Sequence, residues 1–140
     1  DFDLQVTANV SLCRGDDVYA ILIRSLSEWD YYRFLINCKG EARAERIRDS
    51  QTILVQDWMA ANMLPGAPLT TQVEIWASGS EMRLIINDSY LFSVKDPVFR
   101  NGQIGLFARS AGDSALTVTF QGLKVFALDA AAIPTVTVVP

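Results

Sequence analysis

Phe2-Asp3-Leu4-Gln5-Val6-Thr7-Ala8-Asn9-Val10 opens the chain with an unbroken alternation of apolar and polar residues. Successive side chains of a strand point to opposite faces, so Phe2, Leu4, Val6, Ala8 and Val10 share one face and Asp3, Gln5, Thr7 and Asn9 the other. That is a half-buried strand. After the turn Arg14-Gly15-Asp16-Asp17, residues 18–24 are apolar on both faces, which predicts a strand central in its sheet. A polar loop over 25–30 leads to residues 31–38, where Tyr32, Phe34 and Ile36 alternate with Tyr31, Arg33, Leu35 and Asn37 before Lys39-Gly40 turns the chain.

Residues 41–48 contain the best helix formers in the chain. They lack a second apolar row at helical spacing and lie between hairpin-like segments, so a strand is expected there. Residues 53–58 make another short strand. Residues 59–69, with Pro65-Gly66 and Pro68, form the longest irregular stretch and the natural corner between sheets. Strands over 72–78, 82–86 and 90–94 are joined by Ser78-Gly79-Ser80 and Asn87-Asp88-Ser89, residues that tolerate the positive φ of tight hairpins. Asp96-Pro97 and Asn101-Gly102 precede a strand over 103–109. In the last strand, 116–126, apolar parity slips at Gln121-Gly122 from Leu116, Val118 and Phe120 to Leu123 and Val125, which predicts a β-bulge. About ten strands at this spacing, without a convincing helix, indicate an all-β sandwich or barrel. The domain is expected to span 1–128, followed by a Pro/Thr/Val-rich tail over 129–140 that reads as the start of a linker in a longer chain.

Half of the 140 residues are hydrophobic, enough for one domain with a buried core. Twelve Lys and Arg against sixteen Asp and Glu leave a formal charge of −4, so nucleic acid is not an expected partner. No apolar run reaches the roughly 20 residues of a membrane span, so membrane insertion is not expected either. The chain contains no histidine. A Ser-His-Asp triad, a Cys-His pair and a His-based metal site are thereby excluded. Cys13 and Cys38 are too few for a structural zinc site. They either pair, closing a loop of about 25 residues and stabilising the fold by about 3 to 4 kcal/mol, or stay separate thiols that behave as small apolar residues. Sequence leaves both open.

Three groups of segments resemble a recurring bacterial version of the concanavalin A-like lectin and glucanase domain, related to laminin-G-like and keto-disaccharide-hydrolase-like modules. They are Tyr19-Ala-Ile-Leu-Ile-Arg24 with Tyr31-Tyr-Arg-Phe34; Met82-Arg-Leu-Ile-Ile-Asn87 running into Val94-Lys-Asp96; and Gly102-Gln-Ile-Gly-Leu-Phe-Ala108 closed by Val118-Thr-Phe-Gln-Gly-Leu-Lys-Val125. The resemblance implies an antiparallel two-sheet jelly roll. It also implies an extracytoplasmic module, secreted or on the cell surface, that binds sugar or acts as a spacer. Glucanases of that superfamily carry acidic residues at alternate positions of one strand, so that one carboxylate attacks while another donates a proton. Here Glu74 is followed at alternate positions by Trp76 and Ser78, which argues against catalysis, and a sugar-hydrolase-like domain ranks last among the expected functions.

Sugar sites combine flat apolar faces with a few polar groups. Trp29, in a polar hairpin loop, with Tyr31 and Arg33 on the outward row of the next strand and Arg24 on the strand before, forms one candidate. Its competing reading is an indole folded over a sheet edge. Trp76 with Glu74 forms a second, unless the 59–69 loop covers it. Trp58 beside Asp57 reads as packing at the sheet corner. Arg33, Lys39, Arg43, Arg46 and Arg48 make a locally positive stretch suited to an acidic sugar, or else pair with Glu41 and Glu45. Asp16-Asp17, and Asn87-Asp88 with Asp96, offer oxygens of the kind calcium takes in laminin-G-like modules, though acidic turn residues more commonly cap turns. Calcium is the one cofactor considered, and none is expected. The Arg14-Gly15-Asp16 triplet matches an integrin-recognition tripeptide at a length where chance suffices. The expected function is a non-catalytic module binding carbohydrate. A structural or protein-contact spacer is the alternative. Oligomeric state is left open.

Overall fold

The computed structural model describes residues 1–128; the tail expected over 129–140 lies outside the described residues. Ten strands follow one another: β1 (Phe2–Leu12), β2 (Val18–Ser27), β3 (Asp30–Asn37), β4 (Glu41–Arg48), β5 (Gln51–Ala60), β6 (Leu69–Ser78), β7 (Glu81–Ile86), β8 (Ser89–Lys95), β9 (Gln103–Arg109) and β10 (Thr117–Ala127). They build two antiparallel five-stranded sheets, ordered β10-β1-β6-β7-β8 and β5-β4-β3-β2-β9. The architecture is a jelly-roll β-sandwich. No helix among the described residues is long and apolar enough to cross a membrane.

The inner faces are the alternate rows that the sequence displays. Leu4, Val6, Ala8 and Val10 of β1 join Val73, Ile75 and Ala77 of β6 and Met82, Leu84 and Ile86 of β7 against Tyr19, Ile21 and Ile23 of β2 and Tyr32, Phe34 and Ile36 of β3. Each large apolar side chain so buried contributes roughly 1.5–3 kcal/mol. Segment 41–48 is a strand despite its helix formers. Ala42 and Ala44 pair with Ile36 and Phe34 and are buried with them, and this tertiary burial outweighs a weak local preference. The β4–β5 and β7–β8 hairpins turn through Asp49-Ser50 and Asn87-Asp88, all four at positive φ, as the twist of a two-residue hairpin requires. The bulge expected at Gly122 is present: Gln5 pairs with Lys124 and Thr7 with Gln121, and Gly122 sits at φ 65°.

β2 extends to Ser27, so the expected 25–30 loop shrinks to the turn at Glu28-Trp29. Polar ties span the two sheets. Tyr19 Oη lies 3.0 Å from Thr71 Oγ1. Tyr32 donates its hydroxyl to Asp96 Oδ1 (2.5 Å) and accepts the Phe99 N–H (3.1 Å), while Arg46 pairs with the other Asp96 oxygen. Cys13 and Cys38, just beyond β1 and β3, have Cα atoms 5.8 Å apart and sulfurs in bonding contact, within the separation a disulfide needs.

Candidate functional site

Because Tyr19, Ile21, Phe34 and Ile36 point inward, their neighbours on β2 and β3 point outward. Strand register then aligns Phe107, Ala20, Leu35 and Arg43 in one row across β9, β2, β3 and β4. Gly105, Leu22, Arg33 and Glu45 form the next row, and Arg109, Val18 and Asn37 flank the first row on its other side. Val18, Ala20 and Leu35 are at most 4 % exposed although they face away from the core, because Trp58 of β5 and Phe107 of β9 close over them. Trp58 reaches this face through a bulge. Ala42 pairs with Met59 and Ala44 with Gln56, so Asp57 and Trp58 together oppose Arg43.

Each aromatic carries a guanidinium. Arg33 lies 5.3 Å from the Phe107 ring centroid and Arg43 lies 5.7 Å from that of Trp58. Arg33 donates to Glu45 Oε1 through Nη2 (2.5 Å) and Nε (3.1 Å), while Arg43 Nε stands 3.0 Å from Glu45 Oε2 as an ion pair without hydrogen-bond geometry. Charge-assisted forks stacked on rings hold planar donors rigidly, so their remaining N–H groups are oriented in advance. Asn37 is equally committed. Its amide donates to Glu41 Oε1 (2.9 Å), and its carbonyl accepts from the Lys39 and Glu41 N–H groups, both at 3.0 Å. The result is a groove of about 320 Å³ with an aromatic wall, a ledge of guanidinium groups and a rim formed by Asp16, Lys39 and Arg109. Fixed donors beside an aromatic face suit polar, ring-shaped ligands.

Of the residues expected in the Trp29 and Trp76 candidate sites, Arg33 alone lines this groove, joined by Lys39 and Arg43 of the positive stretch and by Trp58, which its sequence context places at the sheet corner. Tyr31 stands on the same outward row, nearer the β2–β3 turn. Trp29 is 54 % exposed at the tip of that turn, where its N–H donates to Ser27 Oγ. Arg24 is not on the outer face. A register irregularity after Ile23 and a φ of 49° at Arg24 turn it inward, where it is 1 % exposed. Its guanidinium donates to Gly79 O (2.6 Å) and Phe99 O (3.3 Å), with Asp1 3.5 Å away.

Trp76 and Glu74 lie on the outer face of the other sheet, so they share no groove with Arg33. Arg83 stacks on Trp76 at 4.2 Å and pairs with Glu81. Glu74 is not solitary, as its own strand suggests, because Asp3 of the neighbouring strand β1 stands diagonally across from it on the same outer face. Burial first, then the neighbouring Asp3 carboxyl, push the Glu74 carboxyl up to about 7. A shallower pocket of about 230 Å³ beside them is lined by Gln5, Gln72, Asp88 and Lys124.

Of the turn residues considered for calcium, Asp16, Asp17, Asn87 and Asp96 have other partners. Asp16 pairs with Lys39, and Asp17 accepts the N–H groups of Arg14 and Ala111. Asn87 bridges Gln72 N–H and Asn62 O, and Asp96 holds Tyr32 and Arg46. In the positive stretch, Arg46 is drawn inward to Asp96 while Arg48 stays exposed away from the groove. Sequence reading leaves out Arg109, which lines the groove, and Phe107, which packs on Val18, Ala20 and Leu35 beside it; both are brought there because β9 pairs with β2 at long range. No periodicity within 103–109 announces that neighbour.

No protein-family model matches the chain, and no curated protein matches it in sequence. Solved structures share its fold. Carbohydrate binding module CBM66 from Bacillus subtilis superposes with a TM-score of 0.71 at 15 % identity, over 91 % of this chain and 76 % of that one. Sheep galectin-11, in complex with glycerol, gives 0.63 at 12 % identity over 89 % of each chain. CG-16, a homodimeric agglutinin from chicken liver, gives 0.59 at 12 % identity, over 87 % of this chain and 89 % of that one. The fold is therefore that of β-sandwich lectins and carbohydrate-binding modules.

Proposed function

We propose that the chain is a non-catalytic carbohydrate-binding module of the concanavalin A-like kind, whose ligand occupies the groove on the outer face of the second sheet. The observation that carries this reading is the Arg33–Glu45–Arg43 fork fixed between Phe107 and Trp58. A sugar ring against the Trp58 face would meet donors whose positions are already set, so little ordering entropy opposes binding. The fold neighbours named as carbohydrate-binding module and agglutinin support the same class. A Cys13–Cys38 pair in bonding contact fits an extracytoplasmic location, where disulfides persist.

Glycan-array screening followed by calorimetry on the best ligand tests the proposal. Trp58→Ala and Arg43→Ala should each weaken binding about tenfold or more, roughly 1.4 kcal/mol, with the fold intact by circular dichroism. Trp76→Ala, on the opposite sheet, should leave affinity unchanged. Binding that survives both groove substitutions would refute the placement.

A second reading, a protein-contact or spacer domain, is favoured by one observation. Leu106 of β9 and Leu123 and Val125 of β10 stand on inward rows yet remain 45 to 47 % exposed along one edge of the sandwich. A blank array from a folded protein would favour that reading.

A further inference from the structure

We infer that the sugar taken by the groove carries a carboxylate, making this a module for acidic, uronic-acid-type saccharides; the inference rests on the carbohydrate reading above. It follows from which polar groups in the groove are already engaged and which are free.

Four cationic side chains line the groove, Arg33, Lys39, Arg43 and Arg109, against three carboxylates, Asp16, Glu41 and Glu45, an excess of one positive charge. The excess sits on a chain of formal charge −4. Each of the groove's carboxylates already has a partner, and Asp16, 74 % exposed at the rim, is the one with most acceptor capacity left. Glu45 is 8 % exposed and gripped by two guanidiniums, Glu41 accepts from Asn37, Asp16 pairs with Lys39, and the Asn37 carbonyl is taken by two backbone N–H groups. The donors are not exhausted. A guanidinium has five N–H groups. Arg33 spends two on Glu45, whereas Arg43 meets it only as an ion pair at Nε, with no hydrogen bond made there. Arg43 remains 25 % exposed, and Arg109 is exposed with no ion pair recorded among the described residues.

A neutral sugar hydroxyl donates one hydrogen and accepts others, so a site built for neutral rings needs acceptors as well as donors. This groove offers mostly donors. A carboxylate is acceptor-only, planar and matched to the guanidinium fork, so it fills the unmet capacity without leaving a donor of its own unpaired. Arg109 is the expected seat of the charge because it alone among the three groove arginines is not shared with Glu45. Arg43 presents its free N–H groups beside the Trp58 face on which the ring would lie.

The test is an array of uronic-acid oligosaccharides printed beside their carboxyl-reduced, neutral counterparts, with affinities then measured for any matched pair that binds. The acidic member should bind at least tenfold more tightly, and the gap should shrink as salt is raised from 50 to 500 mM, taken as roughly bracketing physiological screening. Arg109→Gln, an exposed substitution, should bring the acidic member to within a few-fold of its neutral counterpart. Equal or tighter binding of the neutral members would overturn the acidic class while leaving the carbohydrate reading in place. Silence from every acidic and neutral saccharide would overturn both.

Discussion

Arg24 carries a charge into a position that is 1 % exposed, and two carbonyls, Gly79 O and Phe99 O, depend on its guanidinium. Replacing it by Met keeps most of the volume but leaves those acceptors buried without a donor. Each such loss costs about 1–3 kcal/mol, so Arg24→Met should lower stability by roughly 3 kcal/mol, read as a drop in the urea midpoint. Carbohydrate affinity at the outer groove should not change. Glu74 yields a prediction in pH. Its folded pKa, about 7, lies above the ordinary carboxylate value of 4.5, so the folded state holds the proton more tightly than the unfolded chain. The associated stabilisation is complete below about pH 4.5 and is lost as pH rises through 7, where Glu74 ionises beside Asp3 and Asp88. The urea midpoint should therefore fall between pH 5 and 8, and the fall should be shallower in Glu74→Gln. A midpoint that rises over that window in the unaltered protein would contradict the assignment. Arg24 and Glu74 both escape a reading of their own strands. The first is turned inward by an irregularity at the end of β2, and the second acquires its partner from β1, 71 residues earlier in sequence.

Strands β1 and β6 were readable because their burial alternates every second residue, β2 because it is apolar on both faces, β3 from the alternation in its first half, and the Gly122 bulge because it reverses parity. β4 was readable only by overruling its helix formers with its context between hairpins. What alternation does not reveal is a bulge without a parity change of apolar residues, and β5 contains one: Asp57-Trp58 opposite Arg43 moves the indole from the expected corner onto the outer face. The connection between β8 and β9 also turns on a single residue. Gly102 adopts φ 146°, and a Cβ there would stand 2.4 Å from the Arg24 carbonyl carbon and 2.6 Å from Ser25 N. Those atoms are backbone and cannot swing aside. Gly102→Ala should destabilise by about 3 kcal/mol or more through strain and overpacking, whereas Gly112→Ala, which meets nothing within 4 Å, should stay within about 0.5 kcal/mol of the parent. Thermal unfolding of the two variants side by side distinguishes backbone clash from a general cost of replacing glycine.

At the scale of the molecule, two five-stranded sheets enclose one apolar core and present two chemically different outer faces. One bears the guanidinium fork between Trp58 and Phe107, and the other bears Arg83 on Trp76 beside the Glu74 carboxyl, which burial and Asp3 push up to about 7. The Cys13–Cys38 contact joins the end of β1 in the first sheet to the end of β3 in the second. If it is a closed bridge over 25 residues, reduction should lower stability by about 3.5 kcal/mol in the chain-entropy model, measured as the shift in urea midpoint on adding dithiothreitol. Sequence resolved the sandwich but could not set Arg33 and Trp76 on opposite outer faces, because alternation says which residues point out and not which sheet they point from. The central claim is that ligand binds the second sheet's outer face. It is tested most directly by backbone and arginine side-chain NMR of the labelled protein titrated with an array-selected saccharide. Shifts should concentrate at Arg33, Arg43, Trp58, Phe107 and Arg109, with Gln5, Glu74, Trp76 and Lys124 unmoved; the reverse pattern would contradict it.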